Sequence, residues 1–538
     1  MTMTSIRRGT TTALAGGLTL LLSVGTAAEA LPVAAAPATA SAVATVAPVV
    51  EDDPTGTITV MGRNLYLGAD VGVALELLPD MPAAAQFMWD QVAATDFDTR
   101  VKLLAQEAAA TEPDVIGLQE ATIWSCRPKP WSSAVPVFDF TTQFLAATAA
   151  AGVTYQVAQG GEGRAENPGY AIPPIPLLTR VEDPETFGPL FGTDSADCGF
   201  FIGDALLVRD DLADDVQAAG TGEYGDRYAI APVVFEIDRG YAWADLAVAG
   251  TTVRVVTTHL ESLWAADSEV TAAQQARQLV ADLEGTTAPT IVIGDFNSDP
   301  RDPRPVGSSN PGGQPEAGTV CAAQPDPVTA ASADPSCSAY WTMIAGGFAD
   351  AGPDSLDARN WTWGADGDLA GPSPQRLAVA LQEGNDAGFT DRLDYVFVRN
   401  GAQALSAEVF GNRWPDAQQV WQCSDPSQIA TTEQSSTLLA EAGLAQPITG
   451  RGVCLPTDHA GLLAVVDVSA GPAGVVAQPA PDARSSVRIG LLGWLLIIVG
   501  VLLLVVVLLL WGIYRLITRG RRRRRREAAA AGAGEPTG

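Results

Sequence analysis

Histidine is nearly absent from this chain, with two among 538 residues, and positive charge is scarce. Lys and Arg together number 32 against 62 Asp and Glu, and eleven of those 32 are Arg at the two ends of the chain. Between the ends, residues 31–486 carry 21 cations and 59 anions, a net charge of −38. Because such a body repels polyanions at long range, the charge argues against a nucleic-acid scaffold that binds through a basic face.

Thiolate metal motifs are also absent. The six cysteines are widely spaced and include no CxxC pair, which argues against zinc held by cysteines. An even number of cysteines is typical of disulfides in an exported protein. Fifteen pairings are possible for six cysteines. We expect the nearest-neighbour set, in which each disulfide closes one insertion: Cys126 with Cys198, Cys321 with Cys337, and Cys423 with Cys454.

The N-terminal segment, residues 1–30, has the pattern of a secretory signal peptide. Arg7 and Arg8 precede a mostly apolar run at 13–24, and residues 28–30 offer a small-residue cleavage site. An uncleaved N-terminal anchor is the alternative, but the apolar run is short for a membrane span.

Residues 489–514 predict a transmembrane helix, because 491–514 are almost wholly apolar and long enough to cross the hydrocarbon core of a bilayer. An Arg-rich tail, residues 515–538, follows directly, and the positive-inside rule places it in the cytoplasm. A nucleic-acid patch is the alternative for the Arg run, but its position beside a span favours an anchor. The sequence therefore predicts a single-pass protein of the cell membrane with an extracellular main domain.

Between Ala/Pro-rich linkers at 31–54 and 470–488, residues 55–469 are predicted to form one α/β domain. Helices are expected around 83–94, 98–110 and 268–283, and strands at 57–63, 115–118, 233–237, 242–248, 252–258, 290–293, 393–398 and 462–468. Regions rich in Pro, Gly, Ser and Asp are interpreted as disulfide-tied insertions: 122–200, 300–390 and 411–455. Five tryptophans lie in these regions: Trp341, Trp361, Trp363, Trp414 and Trp421. They either pack in the core or form an apolar rim that inserts into a bilayer or stacks on bases.

Polar side chains follow several predicted strands at the point where each strand ends. They are carboxylates, carboxamides and the two histidines: Asn64, Glu120, His259, Asp295, Asn297, Asp394, Asp458 and His459. An α/β sheet presents its active site at such strand ends. Hard oxygen ligands without cysteine suit Mg²⁺, Mn²⁺ or Ca²⁺ rather than zinc. Any one of these residues taken singly is more often a turn residue.

Taken together, the segments resemble the endonuclease/exonuclease/phosphatase superfamily, which has the fold of deoxyribonuclease I. Six blocks of that family occur in its order: the first-strand Asn64, Gln119-Glu120, Thr258-His259-Leu260, Gly294-Asp295-Phe296-Asn297, Arg392-Leu393-Asp394-Tyr395 and Thr457-Asp458-His459. The resemblance implies a four-layer α/β sandwich, in which two packed mixed β-sheets are flanked by helices, here followed by the C-terminal transmembrane helix. It also implies a metal-dependent hydrolysis of phosphoesters.

The resemblance assigns a role to each block. The implied metal ligands are Glu120, helped by Asn64 and Asp458. The residues implied at the reacting phosphate and the attacking water are His259, Asp295, Asn297, Asp394 and His459. Arg227 lies where relatives often carry an Arg before an edge strand, and it is a candidate phosphate ligand. An ordinary surface ion pair between Arg227 and Asp226 is the equal alternative.

Several branches of the family fit poorly. Abasic-site endonucleases typically lack a histidine where this chain has His259, and inositol-phosphatase relatives carry an aromatic residue where it has Ile293. The remaining interpretations are a nuclease-like phosphodiesterase, a sphingomyelinase-like phospholipid phosphodiesterase or phosphatase, and an inactive surface binding module. The expected partners are therefore a phosphoester, in nucleic acid or a phospholipid headgroup, and the membrane, with no stable protein partner.

Overall fold

A computed structural model describes residues 56–77, 80–161, 163–171, 179–231, 235–307, 315–364, 369, 374–385, 388–411, 421–422 and 453–470. Its α-helices, in chain order, are α1 (Val71–Glu76), α2 (Met81–Ala94), α3 (Phe97–Thr111), α4 (Phe140–Ala151), α5 (Pro184–Phe191), α6 (Thr271–Asp282), α7 (Ala339–Ala345) and α8 (Pro374–Glu383).

Most strands belong to two large sheets. In the N-terminal half they are β1 (Thr57–Asn64), β2 (Val115–Gln119), β3 (Ile123–Arg127), β4 (Val135–Asp139), β5 (Tyr155–Val157), β6 (Gln159–Gly160), β7 (Gly163–Arg164), β8 (Glu166–Ala171), β9 (Thr179–Glu182), β10 (Ser195–Arg209) and β11 (Val216–Glu223). In the C-terminal half they are β12 (Tyr228–Ala231), β13 (Phe235–Ile237), β14 (Gly240–Val248), β15 (Thr251–His259), β16 (Thr290–Asp295), β17 (Ala349–Asp350), β18 (Asp394–Arg399), β19 (Gln403–Phe410), β20 (Trp421–Gln422), β21 (Val453–Cys454) and β22 (Gly461–Asp467).

The first sheet has the order β19-β22-β1-β2-β10-β3-β4, and β5, β8 and β9 also pair with β10. The strands β1 and β2 are parallel, whereas β22 runs antiparallel to β1. The second sheet has the order β11-β14-β15-β16-β18-β17, with β15 and β16 parallel. Both sheets are therefore mixed.

The two sheets pack face to face on an inter-sheet core of aliphatic side chains, which include Ile58, Val60, Val115, Leu206, Val255, Ile293 and Ala464. Helices α2 to α5 cover the outer face of the first sheet, and α6 and α7 cover that of the second. In α3 the buried face follows the helical period, at Val101, Leu104, Ala105 and Ala108. The predicted α/β class, with two mixed sheets flanked by helices, is confirmed.

Two glycines let the sheets approach closely where the central strands end. A Cβ atom at Gly62 would lie 2.8 Å from Ile293 Cγ2, and one at Gly117 would lie 2.8 Å from Thr257 Oγ1. Gln119 Nε2 donates to the same Thr257 hydroxyl across the gap, at 2.8 Å. The ends of β1, β2, β15 and β16 therefore meet at one place, which we call the carboxyl edge.

The opposite edge holds both ends of the described domain. The first residue of β1, Thr57, lies opposite Asp467 at the end of β22, and Val468 N–H donates to the Gly56 carbonyl at 2.8 Å. The chain therefore enters and leaves the domain side by side, at the far end of β1 from Asn64.

The region 122–200, expected to be an insertion, contributes to the first sheet instead. Its residues form β3, β4, β9 and the first part of β10, which extends beyond the end of β2. The expected disulfides Cys126–Cys198 and Cys321–Cys337 are confirmed. Cys454 is disulfide-bonded, but Cys423 lies outside the described residues, so the third pairing stays a prediction.

The tryptophans of the later insertions differ in burial. Trp341 and Trp361 are buried, whereas Trp363 is partly buried and lies beside His459. The side chains of Trp414 and Trp421 are outside the described part.

Across the described residues, none of the helices is both long and apolar enough to span a bilayer. The predicted signal peptide at 1–30, the linker at 31–54, the span at 489–514 and the tail at 515–538 lie outside those residues.

Candidate active site

The carboxyl edge brings together residues that are far apart in the sequence. Asn64 is the last residue of β1, and Glu120 follows β2. In the second sheet, the parallel register of β15 and β16 sets His259 beside Asp295. Because the sheets pack face to face here, the four side chains converge from both.

Asp295 lies at the centre of this convergence and is 1% exposed. Its Oδ2 atom accepts a hydrogen bond from Asn64 Nδ2 at 3.1 Å and lies 3.5 Å from the Nε2 atoms of both His259 and His459. Its Oδ1 atom accepts the Asn297 N–H at 2.9 Å. One carboxylate thus contacts four of the predicted site residues.

Asn297 turns the chain directly after Asp295. Its φ of 45° lies in the left-handed region, which Asn tolerates better than most residues. Its side-chain amide donates to the Leu260 carbonyl at 2.8 Å, which ties this turn to the residue after His259. The turn thereby joins the ends of β15 and β16.

His459 is surrounded by negative charge. Its Nδ1 atom lies 2.9 Å from Asp394 Oδ2, and Asp394 pairs with Asp295 in the antiparallel register of β16 and β18. Burial opposes a charged imidazole, but Asp394, Asp295 and Asp458 outweigh it and raise the pKa of His459 to about 10. Burial also raises the pKa of Asp295 to about 7, helped by Asp394 and opposed by His459. The imidazole is therefore held in its charged form.

His259 has the opposite surroundings. Arg239 Nη1 lies 3.1 Å from His259 Nδ1, and Arg239 Nε lies 3.4 Å from Glu261 Oε2. Since an arginine only donates, Nδ1 must accept, which places the proton of a neutral ring on Nε2, facing Asp295. Burial, Arg239 and His459 together hold the pKa of His259 well below its ordinary value.

Glu120 and Asp458, two of the predicted metal ligands, repel each other electrostatically. Glu120 has a φ of 52°, and its Oε2 atom accepts the Leu67 N–H. Burial and then the charge of Asp458 raise the pKa of Glu120. Asp458 Oδ2 accepts the indole N–H of Trp363 at 3.3 Å. Oxygen donors that repel one another in a recessed place fit a divalent cation, which relieves the repulsion.

Three donor atoms elsewhere in the site lie close together. One atom each from Asp295, Asp394 and His459 lies within 4.8 Å of the others, the only such group of metal-ligating residues across the described residues. Here, however, the imidazole is already hydrogen-bonded to Asp394. This trio is consequently better suited to moving a proton than to holding an ion.

Two residues of the site escaped the sequence analysis. Arg239 lies in the turn before β14, outside any recognised block. Asp204 lies on β10 and is 5% exposed, and its Oδ1 atom has no hydrogen-bond partner among the described residues. Burial raises its pKa well above the ordinary value; Arg239 opposes this, and Asp295 and Glu120 add to it. The available signal in the sequence was a single acidic residue, Asp204, directly before the apolar run at 205–208.

Arg227 forms ion pairs with two acidic residues outside the site. Its Nε atom is 2.6 Å from Asp238 Oδ1, and its Nη2 atom is 3.9 Å from Glu223 Oε2. Asp238 is therefore one ion-pair partner of Arg227, and the pair with Asp226 stays a prediction. A phosphate-binding role for Arg227 stays a prediction, whereas Arg239 contacts the ring of His259.

Comparison with solved structures finds similar chains at low identity. An endonuclease/exonuclease/phosphatase family protein from Leptotrichia buccalis has 13% identity and a TM-score of 0.36, covering 76% of this chain and 99% of its own. One from Beutenbergia cavernae has 15% identity and a TM-score of 0.37, covering 79% of this chain and 74% of its own. A mannosyl-6-phosphatase from Bacteroides thetaiotaomicron has 13% identity and a TM-score of 0.37, covering 76% of this chain and 99% of its own.

The sequence itself matches no curated protein significantly. It does match a family model, the Endonuclease/Exonuclease/phosphatase family, over residues 89–459. That range contains every block of the carboxyl edge from Glu120 to His459, and Asn64 alone precedes it. The chain therefore belongs to the endonuclease/exonuclease/phosphatase family and is a phosphoric ester hydrolase.

Proposed function

We propose that this protein is a cell-surface, divalent-metal-dependent phosphodiesterase of nuclease-like type that acts on external phosphoesters. The observation that supports the chemistry most directly is the contact of one buried carboxylate, Asp295, with both histidines of the chain. A histidine held charged beside a histidine held neutral can bind a phosphate anion and move protons around it. An inactive binding module is disfavoured because both histidines and their carboxylate partners are present and meet at the carboxyl edge.

The metal would be Mg²⁺, or Mn²⁺ or Ca²⁺, held by Glu120 and Asp458 with help from Asn64. The Asn64 Oδ1 atom accepts the Tyr66 N–H at 2.9 Å and retains a second lone pair for a ligand role. When bound, such an ion neutralises phosphate charge and stabilises the leaving oxygen.

The remaining residues would divide the hydrolysis between them. Water attacks phosphorus, the bond to the leaving oxygen breaks, and the proton of the water passes to a base. Asp295, oriented by Asn297, is placed to position the water and to take this proton. His459, fixed by Asp394, would donate hydrogen bonds to the phosphate. His259, with its Nε2 proton facing inward, would donate a hydrogen bond to another phosphate oxygen.

The location belongs to the proposal as well. Residues 489–514 would anchor the chain in the cell membrane, with the domain at 55–469 outside and the tail at 515–538 in the cytoplasm. Epitope tags in the 470–488 linker and at the C-terminus test this on intact cells. The first tag should bind antibody without permeabilisation and the second only after it, and the reverse result would contradict the orientation.

Activity is tested with the full-length chain in detergent on two substrates in parallel. Supercoiled plasmid and sphingomyelin vesicles are each incubated with Mg²⁺, with EDTA, and with His459→Ala protein. Nicking that is lost with EDTA and in the variant supports the nuclease-like function. Release of phosphocholine without nicking would replace it with the phospholipid phosphodiesterase. Hydrolysis of neither substrate by folded protein would contradict both.

A further inference from the structure

Arg63 immediately precedes Asn64 on β1, and its side chain points away from the site. It is 2% exposed. Side chains alternate along a strand, so Arg63 lies on the same face as Met61, which packs under the outer helices, whereas Asn64 faces the space between the sheets. An arginine is therefore buried directly behind the first residue of the site.

The guanidinium of Arg63 is held by Glu107 of α3. Arg63 Nε lies 2.9 Å from Glu107 Oε2, and Arg63 Nη2 lies 2.9 Å from Glu107 Oε1. Two parallel bonds of this kind fix both the position and the plane of the guanidinium. The third nitrogen, Nη1, then donates to the main-chain carbonyl of His459 at 2.6 Å.

His459 is consequently held both by its main chain and by its ring. Arg63 holds its main chain from behind, and Asp394 holds Nδ1 of its ring from within the site. The ring's other nitrogen, Nε2, faces Asp295 at 3.5 Å. A shift of the main chain would move that atom relative to the phosphate, and displacements near 1 Å cost large factors in rate.

We infer that Arg63 and Glu107 are a positioning pair that sets where His459 meets the phosphate, an inference that rests on the proposed function. A lysine at position 63 would keep the charge facing Glu107. It would lack the planar fork that binds Glu107 at two points and still donates to His459. The identity of arginine, and not merely a positive charge, is therefore what the role requires.

The second sheet offers a matched control. Arg254 on β15 is equally buried and forms the same type of two-point pair with Asp245 on β14, at 2.6 Å and 2.9 Å. It lies five residues before His259 along the strand, toward the opposite edge. Arg254→Lys therefore reports what weakening a buried arginine–aspartate pair does to this fold in general.

The test compares Arg63→Lys and Arg254→Lys in the full-length chain, with bis(p-nitrophenyl) phosphate as the probe at saturating Mg²⁺. We expect Arg63→Lys to lower kcat about 10- to 100-fold with KM within about twofold, because only the placement of His459 changes. Arg254→Lys should leave both constants within about twofold. Equal effects of the two variants on kcat would overturn the inference.

A spectroscopic arm works without turnover, because the chain has only two histidines. With ¹⁵N-histidine labelling, the imidazole signals of His459 should shift in Arg63→Lys while those of His259 stay in place. Glu107→Gln, which keeps the size of the side chain, should shift the same signals and serves if Arg63→Lys does not fold. Unchanged His459 signals would overturn the inference. Absence of turnover in the unmodified chain would instead contradict the proposed function.

Discussion

His459 and His259 contact the same carboxylate at the same distance, 3.5 Å, yet the two sides of the site differ in charge. Around His459 lie Asp394, Asp295 and Asp458, whereas Arg239 is the group that contacts the far nitrogen of His259. One imidazole is therefore kept charged and the other neutral within a single site. Identical side chains acquire different roles when their environments push their pKa values apart.

Replacing each histidine by alanine should give the largest losses of kcat/KM, and the two losses should differ. We expect His459→Ala to lower kcat/KM about 10³- to 10⁴-fold, because it removes the charged group at the phosphate. His259→Ala should cost about 10²-fold, since a neutral hydrogen-bond donor contributes less. The measurement is kcat/KM of the full-length chain at saturating Mg²⁺, with circular dichroism to verify folding. Equal losses would show that the two sides are equivalent.

Removing the charge beside His459 should make the two sides more alike. Asp394→Asn keeps an acceptor for the ring but removes the first of the carboxylates that raise its pKa. The pKa of His459 should fall toward the ordinary value, and kcat should drop about 10²-fold as the ring loses its charge and orientation. Imidazole NMR titration measures the first effect and steady-state kinetics the second. A pKa unchanged at about 10 would contradict the electrostatic account.

The reciprocal change acts on His259 and should be smaller. Arg239→Gln removes the positive charge beside Nδ1, so the pKa of His259 should rise from its depressed position, although burial still lowers it. We expect KM to increase about 10-fold, because His259 loses the hydrogen bond from Arg239 that orients its ring toward the phosphate. Hydrogen bonds to charged groups are worth about 1.5–3 kcal/mol. Arg227→Gln tests the other candidate arginine in parallel, and a larger effect there than at Arg239 would support a phosphate role for Arg227 and contradict this prediction.

Asp299 holds the segment that leads to Asp394, and its contribution to stability should be lost in acid. Asp299 Oδ2 accepts the Arg392 N–H at 2.9 Å, two residues before Asp394, and its other bonds come from Arg301. Burial opposes its charge, but Arg301, Arg304 and the Arg392 N–H outweigh burial and lower the pKa of Asp299 to about 2. Because this pKa is depressed, the stabilisation is present above about pH 4 and is lost as the pH falls toward 2.

Between pH 5 and pH 2 the parent chain should lose about 2 kcal/mol of unfolding free energy through the protonation of Asp299. Asp299→Asn should lack this part of the pH dependence. Urea unfolding across that range measures it. Asp214→Asn, at an exposed acid, is the control and should follow the parent curve. The same pH dependence in Asp299→Asn as in the parent would contradict this role.

The sequence predicts well those parts of the site that end an apolar run. The runs before Asn64, Glu120, His259 and Asp295 have strand character of their own, and the observed strands end within two residues of the expected positions. Their convergence follows from the topology of a mixed α/β sandwich, in which these strands share an edge.

Asp204 and Arg239 could not be placed in the same way. Asp204 lies on β10, whose first half pairs with β3 and whose second half pairs with β2. Those pairings are long-range, so local periodicity in 122–200 did not reveal the strand. Arg239 contacts His259 and Glu261 in space, and no spacing in the sequence encodes those contacts.

The neighbouring ends of β1 and β22 have a practical consequence. Gly56 and Val468 are joined by a hydrogen bond, and the length of β1, about 23 Å at 3.3 Å per residue, separates them from Asn64. Any tether, support or fusion partner attached at either end would leave the histidines unobstructed. The same proximity makes the domain a candidate for circular permutation, with a short bridge from 470 to 56 and new ends opened in a surface turn.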